Sequence, residues 1–159
     1  MGSVYLLQKQ DEGAVVEKEQ ALALNPNMAW GYASLAETLG YAGSLQKAVE
    51  MVGQALRRNP SGDTYRSIGA AYYLSGRPEE AIPPLKQFLI HQPNILGAHL
   101  ILAAVYSELG KEAEARAEAA EVLRINPKFS LEVHKERAPI KDPAMLERHI
   151  AALRKAGLK

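Results

Sequence analysis

Apolar side chains recur through the chain at helical spacing, and the recurrence is itself periodic. Tyr32, Leu35, Ala36 and Leu39 fall at i, i+3, i+4 and i+7, one side of a helix, and Ala48, Val52 and Ala55 mark a second. Between them Ala42-Gly43 supplies a residue able to take positive φ, and Asn59-Pro60 closes the pair. The stretch from Trp30 to Pro60 therefore predicts a helical hairpin, with small residues where the two helices come close.

The same pattern follows twice more. Tyr65, Ile68, Gly69 and Tyr72 precede Gly76, then Ala81, Leu85 and Phe88; His99, Leu102, Ala103 and Tyr106 precede Gly110, then Ala115, Ala119 and Val122. Upstream, Ala14, Ala21 and Pro26 fit the second half of an incomplete unit. The closing prolines 26, 60, 93 and 127 lie 34, 33 and 34 residues apart, a period that indicates a solenoid of stacked units. The divisions are 4–26 for a truncated repeat, then 27–60, 61–93 and 94–127.

An aromatic, Leu, a small residue, then Tyr or Leu, followed by Ala, a bulky residue and Pro at this period resembles the tetratricopeptide repeat (TPR), over residues 4 to 127. Three positions depart from that pattern: His99 stands where an aromatic is usual, and Phe88 and Val122 where Ala is usual. The resemblance implies an all-α, right-handed superhelix of antiparallel hairpins, with closest helix approach at Ala36, Gly69 and Ala103. It also implies that the first helix of each hairpin lines a concave wall. Transferred residue by residue, that wall holds Trp30, Ala33, Glu37 and Gly40, then Asp63, Arg66, Ala70 and Tyr73, then Gly97, Leu100, Ala104 and Ser107. Of these, Trp30, Glu37, Asp63, Arg66, Tyr73, Leu100 and Ser107 are the candidate partner-binding residues. The paired Lys and Asn with which some repeats capture a C-terminal carboxylate do not occur there.

Outside the repeats the chain changes character. Met1-Gly2-Ser3 resembles an expression scar and Val4 enters a helical pattern without a cap, so the start reads as cut from a longer polypeptide. Residues 4 to 8 then read as the end of a severed helix, with Gly13 to Leu24 as its partner. Pro83-Pro84, beyond a well-placed Pro78, predicts a kink or a late helix start. Residues 128–159 read as C-terminal capping helices: Phe129 to Arg137, then a helix capped by Asp142, opened by Pro143 and ended by Gly157. The stripe Leu146, Ile150 and Leu153 should cover the exposed face of the last repeat. Residues 139–158 also resemble the segment closing the repeat region of certain bacterial proteins that carry a nucleotide cyclase or winged-helix domain. That resemblance implies a docking or sensing part of a signalling protein.

Composition narrows the function classes. Without cysteine there is neither disulfide framework nor thiolate metal site. A net charge of +1 gives no general attraction to nucleic acid or membrane. The tail holds eight Lys or Arg against four Asp or Glu, which leaves residues 1–127 at −3. No apolar run approaches the roughly 20 residues of a membrane span and no signal core opens the chain, which predicts a cytoplasmic protein. The histidines 91, 99, 134 and 149 lack partners at metal-ligand spacing, and His99, at a core position, reads as a satisfied imidazole. Glu112, Glu114, Glu118 and Glu121 read as a solvated face. No phosphate-cradling loop or catalytic carboxylate set is found, so no catalysis and no cofactor are expected. The expected function is docking of a protein or peptide in the concave groove. The alternatives are self-association of a regulator, with a homodimer contact at the cut end around Val4, Leu6, Leu7, Val15 and Val16, and, last, an enzyme.

Overall fold

Each apolar stripe becomes the buried side of a helix. The computed structural model describes residues 2–159, with side chains from residue 11 onward; Met1 and the side chains of Val4, Leu6 and Leu7 lie outside the described residues. Among the described residues there are nine helices and no strand. They are α1 (Gly2–Leu24), α2 (Ala29–Ala42), α3 (Leu45–Leu56), α4 (Thr64–Leu74), α5 (Pro78–His91), α6 (Leu96–Glu108), α7 (Glu112–Ile125), α8 (Leu131–Arg137) and α9 (Pro143–Lys155).

Three antiparallel hairpins, α2–α3, α4–α5 and α6–α7, stack in order. In α2 the stripe Leu35, Ala36 and Leu39 is buried, and in α3 Ala48, Val52 and Ala55 are wholly so. The helix ends as the sequence requires: Gly43 takes φ of 87°, its N–H reaches Gly40 O at 3.1 Å, and Ser44 N reaches Leu39 O at 2.9 Å. This pair of bonds satisfies two carbonyls that a helix C-terminus otherwise leaves free. The same bonding closes α4 at Gly76 and α6 at Gly110. At Gly69 the two helices of a hairpin come close, since a Cβ there would stand 2.4 Å from Leu85 Cγ.

Two expectations are corrected. The first segment is one continuous helix, α1, rather than a severed helix and its partner. Gly13 keeps a helical backbone, and no proline or positive φ interrupts the run. Among the described side chains of α1, Leu22 is buried and packed over Gly31, while Ala21 is exposed. In α5 the late start does not occur: the helix begins at Pro78 and continues through Pro83 and Pro84. The carbonyls of Glu79 and Glu80, which lose their partners, belong to exposed residues that water can serve.

The tail departs most from an end cap. Ser130 caps α8 by accepting from Val133 N, and Asp142 Oδ1 caps α9 by accepting from Ala144 N at 3.0 Å. α9 then packs chiefly along α6, and its side chains join the core formed by Tyr73, Leu74, Leu100 and Leu102. The segment before it runs back over the stack: Lys141 N donates to Tyr41 O at 3.1 Å, and Lys141 Nζ pairs with Asp11 of α1 at 3.2 Å. The tail thus covers the inner side of the last repeats and reaches the first helix. Asp142→Ala should cost about 1 kcal/mol and speed amide exchange in the first turn of α9, measured by hydrogen exchange against the unmodified chain.

Candidate functional site

The side chains expected on the inner wall fall into two groups. Trp30, on α2, is 56% exposed. Asp63 is exposed and accepts a hydrogen bond from Gln92 Nε2. Glu37 and Arg66 meet side by side, Nη1 to Oε1 at 2.9 Å and Nη2 to Oε2 at 3.2 Å, while Ser67 Oγ donates to Glu37 Oε2 at 2.7 Å. The two-point geometry holds the guanidinium plane fixed. Each nitrogen uses one N–H on Glu37, leaving three for other acceptors.

Tyr73, Leu100 and Ser107 behave differently, at 1%, 4% and 4% exposure. The openness expected of them is corrected: the chain's own tail packs over this side of α4 and α6. Tyr73 Oη and His149 Nδ1 are 2.7 Å apart, and His149 Nε2 lies 2.9 Å from His134 Nε2. Burial pushes the Tyr73 hydroxyl well above its ordinary pKa and His149 down to about 3, with the nearby His134 and Arg148 charges adding to the second effect. Burial lowers His134 as well. Both imidazoles are therefore neutral at pH 7, and because the buried Tyr73 hydroxyl has no other acceptor among the described residues, one set of tautomers satisfies its proton. Tyr73 O–H donates to His149 Nδ1, His149 Nε2–H donates to His134 Nε2, and His134 keeps its proton on Nδ1.

Beside this chain of bonds, Arg148 Nε stands 3.0 Å from Glu108 Oε1 as an ion pair. Burial nonetheless raises the Glu108 pKa. Partial burial, with the nearby Glu37 carboxylate adding to it, pushes the Tyr41 hydroxyl up to about 12. Between wall and tail remains a cavity of about 100 Å³, bordered by Arg66, Ala70, Leu100, His134 and Ile140.

His99 lies outside the wall as a buried core histidine, with Nδ1 2.6 Å from Glu118 Oε2 and Nε2 2.7 Å from Pro93 O. Two acceptors call for two N–H donors, and the Glu118 bond raises the imidazole pKa. Glu118 is thus half-buried and engaged rather than part of a solvated face. Among the described residues no group of three or more His, Cys, Asp or Glu could hold a metal ion. No described helix is long and apolar enough to cross a membrane.

His134, His149 and Arg148 as occupants of the wall were not anticipated from sequence. A signal was present: α6 reads LGAHLILAAVYSE, apolar on all sides, and a helix of that kind is buried all round.

Comparison with known proteins agrees with this architecture. The tetratricopeptide repeat family model matches residues 34–94 and 75–128. Among solved structures, that of MamA is 18% identical with a TM-score of 0.64, over 92% of this chain and 86% of that one. The structure described as "YrrB: a TPR protein with an unusual peptide-binding site" is 21% identical with a TM-score of 0.62, over 95% of this chain and 83% of that one. No curated protein matches the sequence.

Proposed function

Because the chain belongs to the tetratricopeptide repeat family, we propose that it is a docking module that holds a protein or peptide segment against the inner wall of its solenoid. The observation that carries this reading is Trp30, more than half exposed at an inner-wall position, with Arg66 on the next inner helix one-third exposed. Aromatic and Arg side chains most often dominate interface energies. The tail leaves Trp30 uncovered, while Arg66 borders the cavity beneath the tail. The peptide-binding site of the YrrB structure supports the same use of the fold. Of the candidate residues, Trp30 and Asp63 form the open part, the Glu37–Arg66 pair stands at the edge of the tail, and Tyr73, Leu100 and Ser107 form the covered part.

The test uses a partner recovered by pull-down with the full chain and titrated by calorimetry. Trp30→Ala should weaken binding by about 2 kcal/mol, roughly 30-fold. Leu123→Ala, which removes an exposed apolar side chain from α7, should leave binding unchanged. Likewise Arg66→Glu should weaken it far more than Arg116→Glu on α7. Equal losses within either pair would place the partner elsewhere.

Pairing of two copies through α1 is a second reading, favoured by Val16 and Leu24 at 48% and 89% exposure. A mass that doubles with concentration in light scattering, and stays single for Leu24→Asp, would support it. The reading of the chain as part of a larger bacterial regulator rests on the resemblance of residues 139–158 alone.

A further inference from the structure

A helix of the same chain already fills the covered half of the wall. α9 buries His149, Ile150, Ala152 and Leu153, in a core shared with Tyr73 and Leu74 of α4 and Leu100 and Ala104 of α6. Its path differs from that of an end cap, which has only the last hairpin to cover, because the tail runs back to Tyr41 and Asp11 at the other end of the stack. Residues 138–142 belong to no helix, so α9 can leave without unwinding a neighbour once the bond from Leu131 N to Lys159 O and the Lys135–Glu147 pair part. Its fit is incomplete. Ser107 Oγ is buried without a hydrogen-bond partner among the described residues. Native cores seldom leave such groups unsatisfied, and where they do the reason is often functional.

We propose that the wall around Tyr73, Leu100, Ser107 and Glu108 is a binding site for an amphipathic helix of a partner protein, and that α9 is its exchangeable internal occupant. The inference rests on the docking reading above and adds the character of the partner. The occupant in hand shows what the wall accepts. Apolar side chains spaced like Ile150 and Leu153 join the core that holds Leu100 and Ala104. A hydrogen-bonding group one residue before the first faces Tyr73 Oη, and a cation before that faces Glu108. The partner helix adds what α9 lacks, a polar side chain for Ser107 Oγ. Tethering gives α9 a high effective concentration, so an incoming helix has to compete with it.

The experiment uses the full chain and a fluorescent peptide of residues 138–159 as probe, followed by anisotropy. The variant Ile150→Ala/Leu153→Ala, altered on α9 alone, should bind the peptide at least 10-fold more tightly than the unmodified chain. Adding Leu100→Arg on the wall should abolish the gain. No gain, or a gain that survives Leu100→Arg, overturns the proposal. Hydrogen exchange on the unmodified chain tests it without relying on the folding of any variant: α9 amides should exchange at least 10-fold faster than those of α4 and α6. Exchange of α9 at the rate of α6 makes it a fixed part of the core and overturns the proposal. A dimer of the unmodified chain formed by swapping α9 would assign the site to a second copy and overturn the partner assignment. None of these measurements uses the Trp30 end of the wall or its partner, so failure here and failure of the docking reading are separable.

Discussion

Gly69→Leu should lower the unfolding free energy by about 3 kcal/mol, the upper end of overpacking costs. A Cβ at this position would stand 2.4 Å from Leu85 Cγ and 2.8 Å from its Cδ2. Leu85 is fully buried, so it cannot swing into solvent, and the rest of a leucine side chain needs still more room. The α4–α5 hairpin must then open, and with it the contact that α5 makes with α6. For a chain of this size the loss corresponds to a fall in Tm of roughly 6–12 °C. Gly97→Ala is the matched control: a Cβ there meets nothing within 4 Å, and removing a helical glycine is neutral or slightly stabilising. Thermal unfolding followed by circular dichroism measures both. An unchanged midpoint for Gly69→Leu would mean that the helices do not cross at this residue.

The second large effect is acid sensitivity of the tail. His149 has an ordinary unfolded pKa of 6.5 and a folded value of about 3, lowered by burial and by the neighbouring His134 and Arg148. A histidine held neutral contributes stability that is complete above pH 6.5 and declines as pH falls below it, because the unfolded chain takes up the proton first. The decline has a limiting slope of about 1.4 kcal/mol per pH unit and reaches about 3 kcal/mol at pH 4. His134, lowered by burial, adds in the same direction. Glu108 opposes both, since its raised pKa means that protonation relieves the cost of its burial. His99, whose pKa is raised by Glu118, contributes stability that is present below pH 6.5 and lost as pH rises through its folded value. His149→Gln, neutral at every pH and still able to accept from Tyr73 Oη, should remove most of the slope. Urea unfolding at pH 7, 5.5 and 4 separates the two chains. A slope that persists in His149→Gln would assign the sensitivity to other groups.

How much of this was legible in the sequence varies along the chain. The hairpins were, because helical spacing fixes which side of each helix is buried and a glycine with positive φ fixes where it stops: Leu35, Ala36 and Leu39 are buried, and Gly43 closes α2. The caps of α9 were legible for the same local reason, with Asp142 and Pro143 in place. His99 proved to be a satisfied core imidazole because its two acceptors come from Glu118 and the Pro93 carbonyl. Local spacing carries no information on where a finished helix docks, and this is where the reading went astray. Register placed Tyr73, Leu100 and Ser107 on the inner wall, but only tertiary structure shows the tail packing over this side of α4 and α6. The all-round apolar character of α6 is the one local trace of that covering. At the other end, a solenoid period led to a helix break before Gly13 that the residues themselves do not encode, since a lone glycine inside a helical run weakens the helix without ending it.

The central claim, that the C-terminal helix sits on the inner wall of the repeats, is tested most directly by NMR titration of the His149 ring nitrogens in the full chain. Seated against Tyr73 and His134, His149 should remain neutral at pH 5, with Nδ1 acting as acceptor and Nε2 carrying the proton. Titration of His149 with a midpoint near the ordinary imidazole value of 6.5 would show the ring in water and the wall uncovered, contradicting the account.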